Sequence, residues 1–257
     1  MPTMYFNYDH LQFRYTPFPI GLAKPLMSDD VYQKFIDNWP DSHLFKAMPE
    51  LGNKFALSQK FNSKEYHDFV KSNPLWRDFH GWIKSDDFVD EIMEVLKQRN
   101  VDLGHKKRTM MQRVQKRSKN LARGSLAPAT ANLKARFEFQ MMPADGGHIL
   151  PHTDTPQKIV TLVVSMMRPG EWDPAYGGAT DLNMPKDVTQ TFNYLNRYDS
   201  FENMDVIDSF DFTPNQAVIF VKTFNSWHSV RPMTGTGTDA MRKTLIINIE
   251  KPKGIVL

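Results

Sequence analysis

Two residues that can bind a metal ion lie two positions apart near the middle of the chain. His152 and Asp154 are separated by one threonine and follow the glycine pair at 146–147. In an extended strand, residues two apart point to the same face, so the imidazole and the carboxylate would converge. They would supply two-thirds of a 2-His-1-carboxylate facial triad, the ligand set that suits non-haem Fe(II). The alternative is a pair that is only hydrogen-bonded at a strand end, since the chain has eight histidines.

The third metal ligand must come from another strand, and His228 is the best-placed histidine. It follows the apolar run 216–220, which would carry it into a core. His148, four residues before His152, would share the face of His152 in a regular strand. It is therefore a rival ligand, although we favour a place for it in the lining of the pocket. The remaining histidines lie in the N-terminal half of the chain: His10, His43, His67, His80 and His105.

A basic residue on the last apolar run could bind an anion near such a metal. Alternation along 242–249 puts Arg242 and Thr244 on one face and the apolar Leu245 on the other. A guanidinium fork with a hydroxyl two residues further on suits a carboxylate. The alternative is an arginine on the solvent face of an edge strand.

The composition limits the chemistry and the partners. The 257 residues include no cysteine, which excludes disulfides, zinc thiolates and a cysteine nucleophile. No stretch approaches the roughly 20 apolar residues of a membrane helix, and the N-terminus lacks the pattern of a secretory signal. We therefore expect a cytoplasmic protein without a membrane partner. The net charge of +3 does not indicate nucleic acid.

One stretch of the chain is strongly basic. Between residues 103 and 137 there are ten lysines and arginines and no acidic residue. The stretch lacks aromatic residues for base stacking, so we interpret the segment 105–123 as a solvated surface rather than a nucleic-acid site. It slightly favours an anionic substrate.

The elements that must position these residues change type near residue 130. Apolar stripes at helical spacing predict three helices, which begin after Ser28, at Asn73-Pro74 and after Ser85, and a shorter one at 64–71. Beyond residue 130, short apolar or alternating runs lie between turn signals. These runs are 133–142, 158–167, 178–182, 205–212, 216–220, 228–231 and 243–250. The pattern predicts a mainly β fold with N-terminal helices: a lead-in and helical support region at 1–130 and an antiparallel core at 131–257, integrated as one domain.

These residues together resemble a known superfamily. His152-Thr153-Asp154, His228 and Arg242-x-Thr244 are similar to the motifs of the 2-oxoglutarate/Fe(II)-dependent oxygenases, in particular the prolyl-hydroxylase-like members. Further similarities are the segment Gly177-Gly178-Ala179-Thr180 and the run 214–220 ahead of the distal histidine, and the likeness extends over about 133–250. One departure is that Arg242 stands fourteen positions after His228, whereas the family usually has its basic residue nearer ten. This leaves Arg231 as a weaker candidate for the same role.

The resemblance implies a fold, cofactors and an activity. The fold would be a double-stranded β-helix, a cupin-like jelly roll with a helical support layer. Fe(II) would be held by His152, Asp154 and His228, and 2-oxoglutarate by Arg242 and Thr244. With O2 as the second cosubstrate, the enzyme would hydroxylate an unactivated C–H bond and release succinate and CO2. Asp154 argues against the halogenases of the superfamily, which lack this carboxylate.

The substrate is less well indicated by the sequence. Arg136, Glu138 and Gln140 alternate on the run 133–142, where they would face either the cavity or the surface, and His148 is a further pocket residue. The polar, aromatic-containing stretch 184–208 suits a lid or substrate loop. We expect a small polar or anionic metabolite, or a prolyl or other amino-acid residue of a peptide. Two rival classes are a cupin-type metalloenzyme that does not use 2-oxoglutarate and a non-catalytic jelly-roll binding protein.

Overall fold

The structure, a computed structural model, describes residues 5–107 and 133–251. The described chain is mostly β, with four α-helices that all lie in its N-terminal part. The helices are α1 (Asp29–Asp37), α2 (Ser63–Ser72), α3 (Pro74–Ile83) and α4 (Asp86–Gln98). None of the helices in the described ranges combines the length and the apolar composition that a membrane span requires.

Twelve strands form two sheets within the described residues, and every strand pair is antiparallel. The strands are β1 (Gln12–Arg14), β2 (Ile20–Ala23), β3 (Lys46–Met48), β4 (Lys54–Leu57), β5 (Lys134–Pro143), β6 (Ile149–His152), β7 (Lys158–Ser165), β8 (Thr180–Pro185), β9 (Met204–Phe210), β10 (Ala217–Val221), β11 (His228–Val230) and β12 (Met241–Glu250). The large sheet has the order β1-β2-β10-β7-β12-β5-β4-β3, and the small sheet has the order β6-β11-β8-β9.

The predicted helices are present, and a side-chain cap forms at two of the three predicted helix starts. The Asn73 side chain accepts a hydrogen bond from the Trp76 amide, and the Ser85 hydroxyl accepts one from the Phe88 amide. These bonds satisfy backbone donors that a helix N-terminus leaves free. Ser28 occupies the cap position of α1 but makes no side-chain cap bond.

The two faces of the large sheet differ in chemistry. On β12, Leu245, Ile247 and Ile249 join the main apolar core, which also contains Trp76 and Phe79 of α3. The alternate positions on β12 include the buried polar residues Arg242, Thr244 and Asn248. The alternation predicted from the sequence is therefore confirmed: the helices cover the apolar face, and the polar face remains for a site.

The N-terminal part also contributes strands: the sequence leaves an irregular or edge-strand lead-in open for residues 1–25, but it does not predict β3 and β4. β4 pairs with β5, β3 pairs with β4, and β2 pairs with β10, so residues before position 130 supply four of the eight strands of the large sheet. β3 and β4 are only three and four residues long, too short for a periodic pattern to be recognised. The N-terminal part therefore shares the large sheet with the later strands, in addition to supplying the helices.

Candidate metal centre

His152, Asp154 and His228 lie together in the structure. His152 ends β6 and His228 begins β11, and the two residues oppose each other in register, with ring centroids 4.3 Å apart. The Asp154 carboxylate lies 3.7 Å from His152 Nε2 and 4.0 Å from His228 Nε2. One ligand atom of each residue lies within 4.8 Å of the others, and no other such group of three is found among residues 5–107 and 133–251.

Both imidazoles are oriented for metal binding by their own backbone. Nδ1 of His152 lies 2.9 Å from the Leu150 carbonyl, and Nδ1 of His228 lies 2.9 Å from the Ser226 carbonyl. A carbonyl can only accept, so each Nδ1 carries a proton, and Nε2 is the ring nitrogen that can bind a metal. Burial, followed by the neighbouring His152, lowers the pKa of His228 to about 3, so this ring is neutral at neutral pH.

Asp154 reaches the histidines by a turn and not by strand alternation. β6 ends at His152, and Asp154 adopts a left-handed backbone conformation with φ of 69°. The expectation that an extended strand makes the two side chains converge is therefore wrong. The intervening Thr153 is fixed from outside the strand: its hydroxyl donates to the Asn193 carbonyl at 2.9 Å.

Two neighbours on β7 hold the Asp154 carboxylate. Lys158 Nζ lies 2.6 Å from Oδ1, and the Thr161 hydroxyl lies 3.1 Å from Oδ2. Burial alone would raise the pKa of Asp154, but Lys158 and the two histidines outweigh it and keep this pKa well below its ordinary value. Lys158 is not among the residues predicted from the sequence, although a lysine at the start of an apolar run, four residues after Asp154, is a usable signal.

The donor set fits Fe(II). Two imidazoles and one ionised carboxylate supply three ligand atoms within reach of one ion, and this combination suits non-haem iron with open positions.

Arg242 is a buried cation without an anionic partner. Its side chain is buried; Nε donates to the Gly178 carbonyl at 2.8 Å, and the guanidinium lies 4.3 Å above the Phe212 ring. Among the described residues, no carboxylate lies within ion-pair distance of it. Burial lowers the pKa of Arg242 to about 9, so the group remains charged at neutral pH. A buried charge of this kind requires a counter-charge, which a bound carboxylate would supply.

Two unpaired polar groups lie on the same face as Arg242. The Thr244 hydroxyl and the Gln140 amide nitrogen are both buried, and neither has a hydrogen-bond partner within the described part of the chain. Gln140 on β5 directly opposes Thr244 on β12. Unsatisfied buried donors are rare in proteins, and they indicate a ligand or bound water.

Arg136 and Glu138 share the polar face of the large sheet, but they satisfy one another. Arg136 Nη1 lies 3.3 Å from Glu138, and its Nη2 lies 2.7 Å from Glu250. Lys54 Nζ lies 3.4 Å from Glu138 on the other side. Burial would raise the pKa of Glu138, but Lys54 and Arg136 outweigh it and lower this pKa. The four residues form a paired charge network, and Glu138 also interacts electrostatically with Lys158, the partner of Asp154.

Two other candidates lie apart from this cluster. Arg231 is 59% exposed and donates two hydrogen bonds to Asp181, at 2.8 and 3.2 Å, so its guanidinium is already paired. Arg231 therefore does not lie with Arg242 among the unpaired groups of the polar face. His148 is not part of the ligand cluster. It precedes β6, which begins at Ile149, and the pairing of β6 with β11 shifts register, so strand alternation does not place His148 on the face of His152. Nδ1 of His148 lies 3.0 Å from the Gly146 carbonyl.

The segment between β8 and β9 lies against the metal ligands. The Tyr198 ring stacks on His152 at 5.3 Å, and the Trp227 indole donates to the Thr191 carbonyl at 2.9 Å. Val188 and Phe192 of this segment are strongly exposed. Most of the basic stretch, by contrast, lies outside the described residues.

Residues 137–250 match the family model described as the 2OG-Fe(II) oxygenase superfamily. Among solved structures, a Pseudomonas putida prolyl-4-hydroxylase is similar with a TM-score of 0.47 and 10% identity, over 91% of this chain and 92% of that one. A Trichoplax adhaerens prolyl hydroxylase in complex with a hypoxia-inducible-factor peptide fragment gives 0.45 and 12%, over 90% and 83%. Structural likenesses this weak support no conclusion about function. No curated protein matches the sequence.

Proposed function

We propose that the chain is a 2OG-Fe(II) oxygenase that hydroxylates an unactivated C–H bond with Fe(II), 2-oxoglutarate and O2, since residues 137–250 match the model of that superfamily. The observation that carries the proposal is the unpaired, buried Arg242 on the sheet that faces the His-Asp-His cluster. An enzyme of this family needs both a metal site and an anchor for a dicarboxylate, and the two features lie on elements that the chain folds together.

The three ligands have distinct roles in this proposal. His152 and His228 present Nε2 to iron, because both Nδ1 protons are directed to backbone carbonyls. Asp154 supplies the anionic ligand and is kept ionised by Lys158, despite its burial. Iron and 2-oxoglutarate, when bound, would supply the oxidising chemistry: one atom of O2 would enter succinate as 2-oxoglutarate loses CO2, and the other would be inserted into the substrate C–H bond.

Arg242 and Thr244 hold the carboxylate of 2-oxoglutarate that is remote from the 2-oxo group. Arg242 is preferred to Arg231 because its guanidinium is buried without an anion, whereas Arg231 is paired with Asp181 at the surface. Binding of the dianion would neutralise a charge that is otherwise expensive to bury.

The substrate proposal is a small polar or anionic metabolite, or a prolyl or other residue of a peptide. The paired network around Glu138 interacts with Lys158, the partner of Asp154, and Tyr198 stacks on His152, so either can contact a substrate. Arg136 and His148 are part of this proposed substrate-binding set.

We propose that the two sheets form a double-stranded β-helix and that residues 1–130 and 131–257 form one integrated domain. The pairing of β2 with β10 and of β4 with β5 supports this, because strands from both parts share one sheet. The apolar core likewise contains residues of the helices and of β5, β7 and β12.

The test is succinate formation from 2-oxoglutarate by protein reconstituted anaerobically with Fe(II) and then exposed to O2. Wild type should turn over slowly without its substrate, or at least bind iron and 2-oxoglutarate. Asp154→Ala should lose iron binding, and Arg242→Ala should lose 2-oxoglutarate binding while it keeps iron. Asp208→Ala, a change at a surface carboxylate that pairs with Arg14, is the control and should behave as wild type.

The two rival classes predict different outcomes of the same experiment. A cupin-type metalloenzyme would bind iron without binding 2-oxoglutarate. A jelly-roll binding protein would bind neither, and Asp154→Ala would then leave its ligand binding unchanged.

A further inference from the structure

We propose that Gln140 is a further binding residue for 2-oxoglutarate, whose side-chain amide donates to the same remote carboxylate as Arg242 and Thr244. The inference rests on the proposed function. The inference assigns Gln140 to the binding of the cosubstrate. Strand alternation alone places Gln140 on the same face as Arg136 and Glu138, which are proposed to bind the substrate.

The first observation is that the Gln140 amide nitrogen is buried without a partner. Gln140 is 3% exposed and Thr244 is fully buried, and in both residues a side-chain polar atom lacks a hydrogen bond within the described chain. A buried donor that lacks a hydrogen bond destabilises the folded protein. Two such groups side by side are best explained by a ligand that accepts from both.

The second observation is the register of the two strands. Gln140 directly opposes Thr244, and Arg242 lies two residues from Thr244 on the same strand, where it shares a face with it. Opposed residues of an antiparallel pair have Cβ atoms about 5 Å apart. The three side chains therefore border one small region of the polar face.

The third observation is the number of donors. Arg242 uses Nε for the Gly178 carbonyl, which leaves its two terminal nitrogens without a partner among the described residues. A carboxylate offers about four lone-pair positions. The two guanidinium nitrogens, the Thr244 hydroxyl and the Gln140 amide provide four donors, which would saturate it.

The neighbours of Gln140 on β5 argue against a place for it in the substrate-binding network. Arg136 and Glu138 are paired with each other, with Glu250 and with Lys54. Gln140 makes no hydrogen bond to any of them. It belongs by position to the Arg242 end of the polar face, where the unpaired groups are.

The experiment compares two 2-oxo acids with the same number of carbon atoms. Binding of 2-oxoglutarate and of 2-oxopentanoate, which ends in a methyl group, is measured by calorimetry on anaerobic Fe(II)-loaded protein. We expect Gln140→Leu to weaken 2-oxoglutarate by about tenfold, the usual effect of one hydrogen bond to a charged group, and to leave 2-oxopentanoate unchanged. Gln140→Glu should weaken 2-oxoglutarate further, since it places a negative charge beside the carboxylate.

Two further measurements keep the inference falsifiable. Gln140→Leu removes an unpaired amide, so the melting temperature of the ligand-free variant should equal or exceed that of wild type; if it does not fold, Gln140→Met replaces it. Unchanged 2-oxoglutarate affinity, or an equal loss for both acids, would overturn the role of Gln140. Absence of 2-oxoglutarate binding by wild type with iron bound would instead refute the proposed function.

Discussion

Replacement of Arg242 by methionine should remove most of the stabilisation that 2-oxoglutarate binding gives, without destabilising the ligand-free protein. Burial lowers the pKa of Arg242 from 12.5 to about 9, which at about 1.4 kcal/mol per pKa unit corresponds to a cost of roughly 5 kcal/mol for the buried charge. The hydrogen bond to Gly178 offsets about 1.5–3 kcal/mol of this cost, and the contact with the Phe212 ring offsets about 1–2 kcal/mol of it. The free energy of unfolding of ligand-free Arg242→Met should thus lie between that of wild type and about 2.5 kcal/mol above it.

The ligand-bound state should show the opposite effect. Loss of a charge-assisted, two-point anchor of about 3 kcal/mol would weaken 2-oxoglutarate by roughly 100-fold or more. Denaturation with and without 2-oxoglutarate measures both quantities, since a ligand at 100 times its Kd adds about 2.7 kcal/mol to the stability of wild type.

The matched control for this change is the next residue. Lys243 is paired with Glu171 in a partly exposed position, so Lys243→Met should change stability by about 1 kcal/mol or less and leave 2-oxoglutarate binding intact. A loss of more than about 3 kcal/mol by ligand-free Arg242→Met would refute the reasoning, because the protein itself would then satisfy the guanidinium.

Three further changes test other parts of the site. Gly178 has φ of 83°, and an added Cβ would lie 3.2 Å from the Arg242 side chain; denaturation and calorimetry should show Gly178→Ala losing about 1–2 kcal/mol of stability and binding 2-oxoglutarate less tightly. Lys54 and Arg136 outweigh the effect of burial and hold the pKa of Glu138 below 4.5. The ionised Glu138 therefore contributes fully to folding stability above pH 4.5, and this contribution is lost as the pH falls through the lower pKa of the folded state. Glu138→Gln should flatten the dependence of stability on pH below 4.5, and an unchanged dependence would contradict this. Tyr198 stacks on His152, so metal titration should show up to tenfold weaker iron binding by Tyr198→Ala, with stability within about 0.5 kcal/mol of wild type.

Residue types and alternation are enough to predict much of the site. The polar and apolar faces of β12 follow from strand periodicity, because one face packs on the helices and the other does not. The same alternation, together with the nearby Thr244, favours Arg242 over Arg231 as the anchor for an anion. The burial and pairing of the two side chains agree with this preference, since of the two only Arg242 is a buried cation without an anionic partner in the described chain.

Other features depend on local geometry that a sequence does not display. Asp154 faces the histidines through a left-handed turn, which no alternation rule contains. By strand alternation Lys158 should point to the same side as Val160, which lies in the apolar core. It contacts Asp154 instead, at the place where the pairing of β7 with the end of β12 shifts register. The short strands β3 and β4 depend on pairing with β5, a contact that is distant in sequence.

The hydrogen bonds between the β8–β9 segment and the ligand-bearing segments have a thermodynamic consequence. Thr153, between two ligands, donates to the Asn193 carbonyl, and Trp227, beside the third, donates to the Thr191 carbonyl. A molecule that orders this segment would therefore also order the metal-binding residues. By linkage, iron binding would in turn favour binding of that molecule. The factor by which such a molecule tightens iron binding equals the factor by which iron tightens its binding. Iron affinity measured without substrate would then be a lower limit to the affinity of the working enzyme.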